Sequence, residues 1–227
     1  MAATSNADEL VASLGKHAEV LAAAATMDVN VAAPTAMDDP VREMLSRSAN
    51  LLRGAASLGK DRNPTALAVV ARAVLENLIT ILWVQVDDAH PSHLNEAAVA
   101  ELARMVRVNL NAGNARILNR HTGEDATPEF LAGDRFKNLP RRMSVEERAK
   151  QAGIEDLYNI FYRALSMEVH GQSIGEADTE RELAIMHMQG VGAIAFATGH
   201  AGVRWLVHRQ RTDNETLRSL LGLDREL

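Results

Sequence analysis

An all-α fold is what this sequence predicts, on three observations. Sustained apolar/polar alternation is nearly missing, so strand signals are weak. Val and Ile sit inside Ala- and Leu-rich runs whose apolar positions recur at helical spacing. Helix-start chemistry also recurs: Asp39-Pro40, Asn63-Pro64 and Thr127-Pro128 each put a capping side chain before a proline, at a position where the missing N–H costs nothing.

Taken in order, these signals predict helices over 5–26, 39–58, 64–86, 93–120, 144–152, 154–171 and 178–210, with a short one at 213–222. The 144–152 helix is announced by a capping box, Ser144 with Glu147. His121 to Met143 reads as loop with one turn at 128–132. The expected architecture is a bundle of about six to eight helices in a single domain spanning 1–227, with a core over 39–210 and the 5–26 helix a candidate arm.

Composition narrows the function classes. With 47% hydrophobic residues in 227, the chain can bury a substantial core. It has no cysteine, which removes disulfides, thiol chemistry and thiolate metal sites and agrees with a reducing cytoplasm. A net charge of −6 argues against a protein that coats nucleic acid nonspecifically. A local surplus remains: Leu102 to Lys150 carries ten Lys plus Arg against six acids. Near the N-terminus Asp8 and Glu9 stand where a secretory leader has basic residues. Leu183 to Val203 runs 21 residues without a charge, yet His187, Gln189 and His200 interrupt it, so it reads as a buried helix and no membrane partner is expected.

Motifs of several enzyme classes are missing. The chain has no GxxxxGK[ST] loop, GxGxxG turn, GxSxG elbow or HExxH helix, and no Glu-x-x-His for a di-metal bundle. No cofactor and no metal are expected. Asp87, Asp88, His90 and His93 read as ordinary loop residues, and His187 and His200 as core histidines with backbone partners.

Two helices carry unexplained polar residues. The 64–86 helix is apolar nearly all round, the mark of a bundle centre, and its only charges are Arg72 and Glu76, four apart and able to pair. Such a pair needs further partners or pays heavily in desolvation. In the 154–171 helix, Asn159, Ser166 and His170 fall within about 40°, 60° and 20° of Arg163 on the helical wheel, forming one polar stripe. Leu157, Ile160, Phe161, Ala164 and Leu165 form the expected core face, with Glu168 inside it and Tyr158 and Tyr162 beside the stripe. A merely wet face favours Lys and Glu, whereas Asn, Arg, Ser and His suit recognition or proton transfer. The bland alternative is a solvent-facing stripe in which His170 caps the helix before Gly171.

These residues carry a resemblance. YNIFYRALSMEVH, with Tyr158, Tyr162, Arg163, Leu165, Ser166 and His170, following ARAVLENL, with Arg72 and Glu76, resembles a bacterial family of uncharacterised helical domains. More distantly, Arg163 with His170 resembles the Arg-x(4–6)-His motif of HEPN domains, helical bundles of which many are metal-independent endoribonucleases active as dimers. Ala164 departs from the polar residue that active HEPN nucleases usually carry after the arginine.

The resemblance implies RNA cleavage in a bacterial defence or toxin setting. His170 would be the general acid or base and Arg163 the phosphate holder, with Asn159, Tyr162, Ser166, Arg72 and Glu76 in support. It also implies a homodimer, RNA as substrate, contacts from the 102–150 region or Arg204, Arg209 and Arg211, and an antitoxin or regulatory partner. The rival from another class is a non-catalytic binding module in which Arg72, Glu76, Tyr162, Arg163 and His170 form a structural or ligand-holding network.

Overall fold

The computed structural model describes residues 2–27, 35–134, 141, 143–169, 177–210, 215 and 219; residues 2–5, 167–169, 177–181 and 210 are described by their backbone alone. The fold is all-α, as the sequence predicts. Its elements are α1 (Ala2–Thr26), α2 (Asp38–Lys60), α3 (Pro64–Val84), α4 (His90–Asn111), α5 (Thr127–Ala132), α6 (Val145–Gln151), α7 (Glu155–Leu157), a π-helical turn π1 (Tyr158–Tyr162), α8 (Arg163–Val169) and α9 (Ala177–Gln210). Two compact units divide the chain, Met1–Asp88 with Val145–Leu227, and Ala89–Ser144.

In the first unit, α1, α2, α3 and α9 pack side by side and α3 takes the centre, touching α2 and α9 on one side and α6, π1 and α8 on the other. That place follows from its sequence. Leu67, Val74, Leu75, Ile79, Ile81 and Trp83 point in several directions around α3, and each is buried. By length and composition α3 would also cross a membrane, but 67% of its most apolar window is buried by protein, so it is a core helix. α1 runs along α2 and α9 and buries Leu14, Ala18, Leu21 and Ala24. Where α9 meets α2, Gly202 lets the helices close up: a Cβ there would stand 3.0 Å from Leu45.

At one end of this bundle Asp38 gathers three elements. Its Oδ1 accepts from the Trp205 indole at 3.0 Å and pairs with the Arg209 guanidinium at 2.8 Å, while Oδ2 accepts from the Thr35 amide at 2.9 Å. Arg42 donates to the carbonyls of Ala25 and Met27 at the end of α1. Burial pushes the Asp38 carboxyl up, but these hydrogen bonds outweigh it and hold it below the usual range.

Three expectations about helix ends need correction. Asn63 caps α3 as expected, accepting from the Ala66 amide at 3.0 Å. Asp39 does not cap α2, because the helix already begins at Asp38. Thr127 is the first residue of α5 and its hydroxyl instead accepts from the Ile117 amide, closing the preceding loop. The 93–120 helix ends at Asn111, since Gly113 turns to φ 72° and a hydrogen-bonded loop follows, with Leu118 bridged to Asp125. The expected 213–222 helix falls largely outside the described residues.

Candidate functional site

On α3 the spacing Arg72, Glu76, Thr80 places three polar groups on one side of an otherwise apolar helix, with Trp83 next along. Each finds a partner on the layer formed by α6, π1 and α8. Arg148 of α6 donates to the Thr80 hydroxyl at 2.6 Å, and Thr80 donates to the Glu76 carbonyl at 2.8 Å. The Trp83 indole donates to Gln151 at 2.7 Å. These contacts fix α6 along α3.

Arg72 and Glu76 meet through Tyr162 of π1. The tyrosine hydroxyl accepts from Arg72 Nη2 at 2.8 Å and donates to Glu76 Oε1 at 2.8 Å, while Arg72 Nε stands 3.4 Å from the same carboxylate oxygen. The Arg72 guanidinium also lies over the Tyr162 ring, 4.7 Å from its centre. Tyr162 is buried whereas Arg72 and Glu76 keep part of their side chains in solvent. Burial, reinforced by the Glu76 carboxylate, raises the Tyr162 pKa against the opposing pull of Arg72. Burial would lower the Arg72 pKa, but Tyr162 and Glu76 outweigh it and raise it.

Tyr158 stacks on Tyr162, ring centres 4.8 Å apart and planes 19° from parallel. Arg163 lies over the Tyr158 ring at 5.8 Å. Burial and the Glu146 charge raise the Tyr158 pKa, opposed by Arg163 and Arg72. The Arg163 guanidinium is held from two more directions, donating to Asn159 Oδ1 at 3.0 Å and to Glu146 Oε1 at 3.3 Å. It remains accessible, with 59% of its side chain exposed.

The expected site thus divides in two. Arg72, Glu76 and Tyr162 form an inner triad at the helix–helix contact. Arg163 and Asn159 lie on an outer rim, with Ser166 half-buried nearby in sequence. His170 falls outside the described residues, as does the side chain of Glu168. The core face must be corrected: Leu165 is buried, but Ile160, Phe161 and Ala164 are exposed. The tyrosines read as flanking the stripe provide the packing side instead, because Tyr162 finds charged partners on α3 and the π turn adds a residue to the helical repeat.

Some participants were not singled out from sequence. Thr80 continues the four-residue spacing of Arg72 and Glu76, and that spacing was the available signal. Glu146, Arg148 and Gln151 carry none, since their partners lie on other helices. Arg209, expected among RNA contacts, is buried against Asp38. Arg204 is exposed, and Arg211 lies outside the described residues. His187 behaves as a core histidine, its ring 3.0 Å from the Pro64 carbonyl. Among the described residues no group of three or more His, Cys, Asp and Glu is placed to hold a metal.

Fold and site define an all-α protein whose central helix holds a second helical layer through an Arg–Tyr–Glu triad. Residues 38–178 match the model of a family of unknown function, DUF5677, and the chain belongs to that family. The matched span contains the triad, the rim and His170. No curated protein and no solved structure matches the chain.

Proposed function

We propose that the protein is a HEPN-like, metal-independent endoribonuclease of a bacterial defence or toxin type, working in the cytoplasm, with the Arg163 rim as the place where an RNA phosphodiester binds. The observation that carries this reading is the state of Arg163: its guanidinium is steadied by Asn159, Glu146 and the Tyr158 ring, yet most of the side chain is open to solvent. A fixed cation of this kind suits the charge that builds on a phosphate during cleavage. The inner triad keeps the helix from shifting, so the guanidinium need not reorganise as the reaction proceeds.

In this reading the ribose 2′-OH attacks the adjacent phosphorus and the 5′-oxygen leaves, giving a 2′,3′-cyclic phosphate. His170 would move the proton at one of these oxygens, as the sequence resemblance implies. Two copies would line the cleft, and an antitoxin or regulatory subunit would cover it. The test is incubation of the parent and His170→Ala with total RNA in excess chelator. Cyclic-phosphate ends from the parent alone support the reading; no cleavage by either overturns it.

A second reading is favoured by charge balance. Arg72 is paired with Glu76 and Arg163 with Glu146, so neither arginine brings uncompensated charge, and Ala164 stands where active relatives of the HEPN type usually have a polar residue. This supports a non-catalytic module in which both arginines are architecture. Loss of stability without any activity to lose would mark it.

A further inference from the structure

Cutting RNA without a metal takes two proton transfers: the 2′-OH loses a proton as it attacks phosphorus, and the 5′-oxygen gains one as it leaves. A single imidazole serves one of the two. A second group must therefore stand within reach of the phosphate, and the surroundings of Arg163 narrow the choice. Among the described residues its guanidinium meets Asn159, the Tyr158 ring and Glu146. An amide such as Asn159 exchanges no proton. Burial and the Glu146 charge raise the Tyr158 pKa, so that side chain stays a neutral phenol near pH 7. Glu146 is left.

We propose that Glu146 is the general base of this site, taking the 2′-OH proton of a ribose whose 3′-phosphate is bound by Arg163. The inference rests on the ribonuclease reading above. Glu146 Oε1 stands 3.3 Å from Arg163 Nη2, longer than the roughly 2.7–2.9 Å of a tight charge-assisted bond, and 49% of the glutamate side chain is exposed. The carboxylate is thus beside the phosphate holder, open to substrate, and not locked onto the guanidinium.

Both groups are held in register by α3. The helix that carries Glu146, α6, is pinned to α3 where Arg148 donates to Thr80 at 2.6 Å and the Trp83 indole donates to Gln151 at 2.7 Å, with Ala149 buried. The Arg72–Tyr162–Glu76 triad pins π1, and with it Arg163, to the same helix. The separation of base and phosphate holder is therefore set before substrate binds, which is what positioning contributes to rate.

The chemical types also set the direction of proton flow. A carboxylate accepts and an imidazolium donates, so His170 becomes the acid. The 2′-OH proton passes to Glu146, O2′ bonds to phosphorus, the P–O5′ bond breaks, and O5′ takes the proton of His170.

Oligoribonucleotides with sulfur in place of the leaving 5′-oxygen test this, made on a sequence that the parent cuts in total RNA and assayed in excess chelator. A thiolate leaves without a proton, so sulfur removes the need for an acid and keeps the need for a base. On the oxygen substrate kcat is expected to fall about a hundredfold or more in both Glu146→Gln and His170→Ala, with KM and melting temperature unchanged in Glu146→Gln. On the sulfur substrate His170→Ala should recover most of the parent's rate and Glu146→Gln none of its loss. Recovery in Glu146→Gln, or a rate equal to the parent's on the oxygen substrate, would overturn the assignment and leave the ribonuclease reading in place. A rate above the parent's would do the same, making Glu146 only an anion that competes for Arg163. A parent that cuts no RNA would end both.

Discussion

The Tyr162 hydroxyl sits between Arg72 and Glu76, 2.8 Å from each, accepting from one and donating to the other. It is the link through which two charges on the central helix are satisfied by a helix about 90 residues away in sequence. Tyr162→Phe keeps the ring and the stack on Tyr158 but removes both hydrogen bonds. A loss of about 1–2 kcal/mol is expected in urea unfolding, because bonds to charged groups are worth more than neutral ones. An unchanged midpoint would make the triad incidental.

The chain has only two tyrosines, Tyr158 and Tyr162, and both are shifted upward. Tyrosinate absorbance in the folded protein should therefore appear above the ordinary value of about 10 and return to it in denaturant. A raised folded pKa contributes stability that is complete below the unfolded value and lost as pH rises through the folded one. Unfolding in strongly alkaline solution should accompany the titration and be weaker in Tyr162→Phe.

Asp38 predicts the opposite limb. Its folded pKa is depressed, so its stabilisation is present above the unfolded value of about 3.9 and is lost as pH falls through the folded one. Asp38→Asn should cost about 2–4 kcal/mol near neutrality, since it leaves the buried Arg209 without its carboxylate. It should also flatten the acid limb of the stability curve, which thermal melts across pH would read.

Ion pairing at the rim is a different matter. Arg163 and Glu146 are 59% and 49% exposed, and pairs of that kind contribute under about 1 kcal/mol. Arg163→Ala and Glu146→Gln should melt close to the parent. A drop of several degrees in either would show that the rim carries more of the fold than its exposure allows.

Much of the fold was legible because the physics is local. The proline-led starts of α3 and α5, the apolar circumference of α3 and the Arg72–Glu76 spacing need only the residues themselves. The end of α4 was missed because Gly113 and the following loop bonds outweigh a helical pattern that runs on to Arg120. At the site, the wheel put Asn159 beside Arg163, and the two are hydrogen-bonded. It misassigned Ile160, Phe161 and Ala164, since an assumed regular α-helix has no place for the π turn at Tyr158–Tyr162. The roles of Glu146 and Tyr162 depend on contacts between distant helices, which no local pattern encodes.

The measurement that bears most directly on the proposed function is the rate at which Arg163→Ala and the parent release 2′,3′-cyclic-phosphate fragments from total RNA in excess chelator, on preparations whose melts have been compared. Cleavage by the parent and at least a hundredfold loss in the variant, the scale for removing a transition-state charge contact, are expected at an unchanged melting temperature. Equal rates, or no cleavage from a well-folded parent, would contradict it and leave Arg163 as architecture.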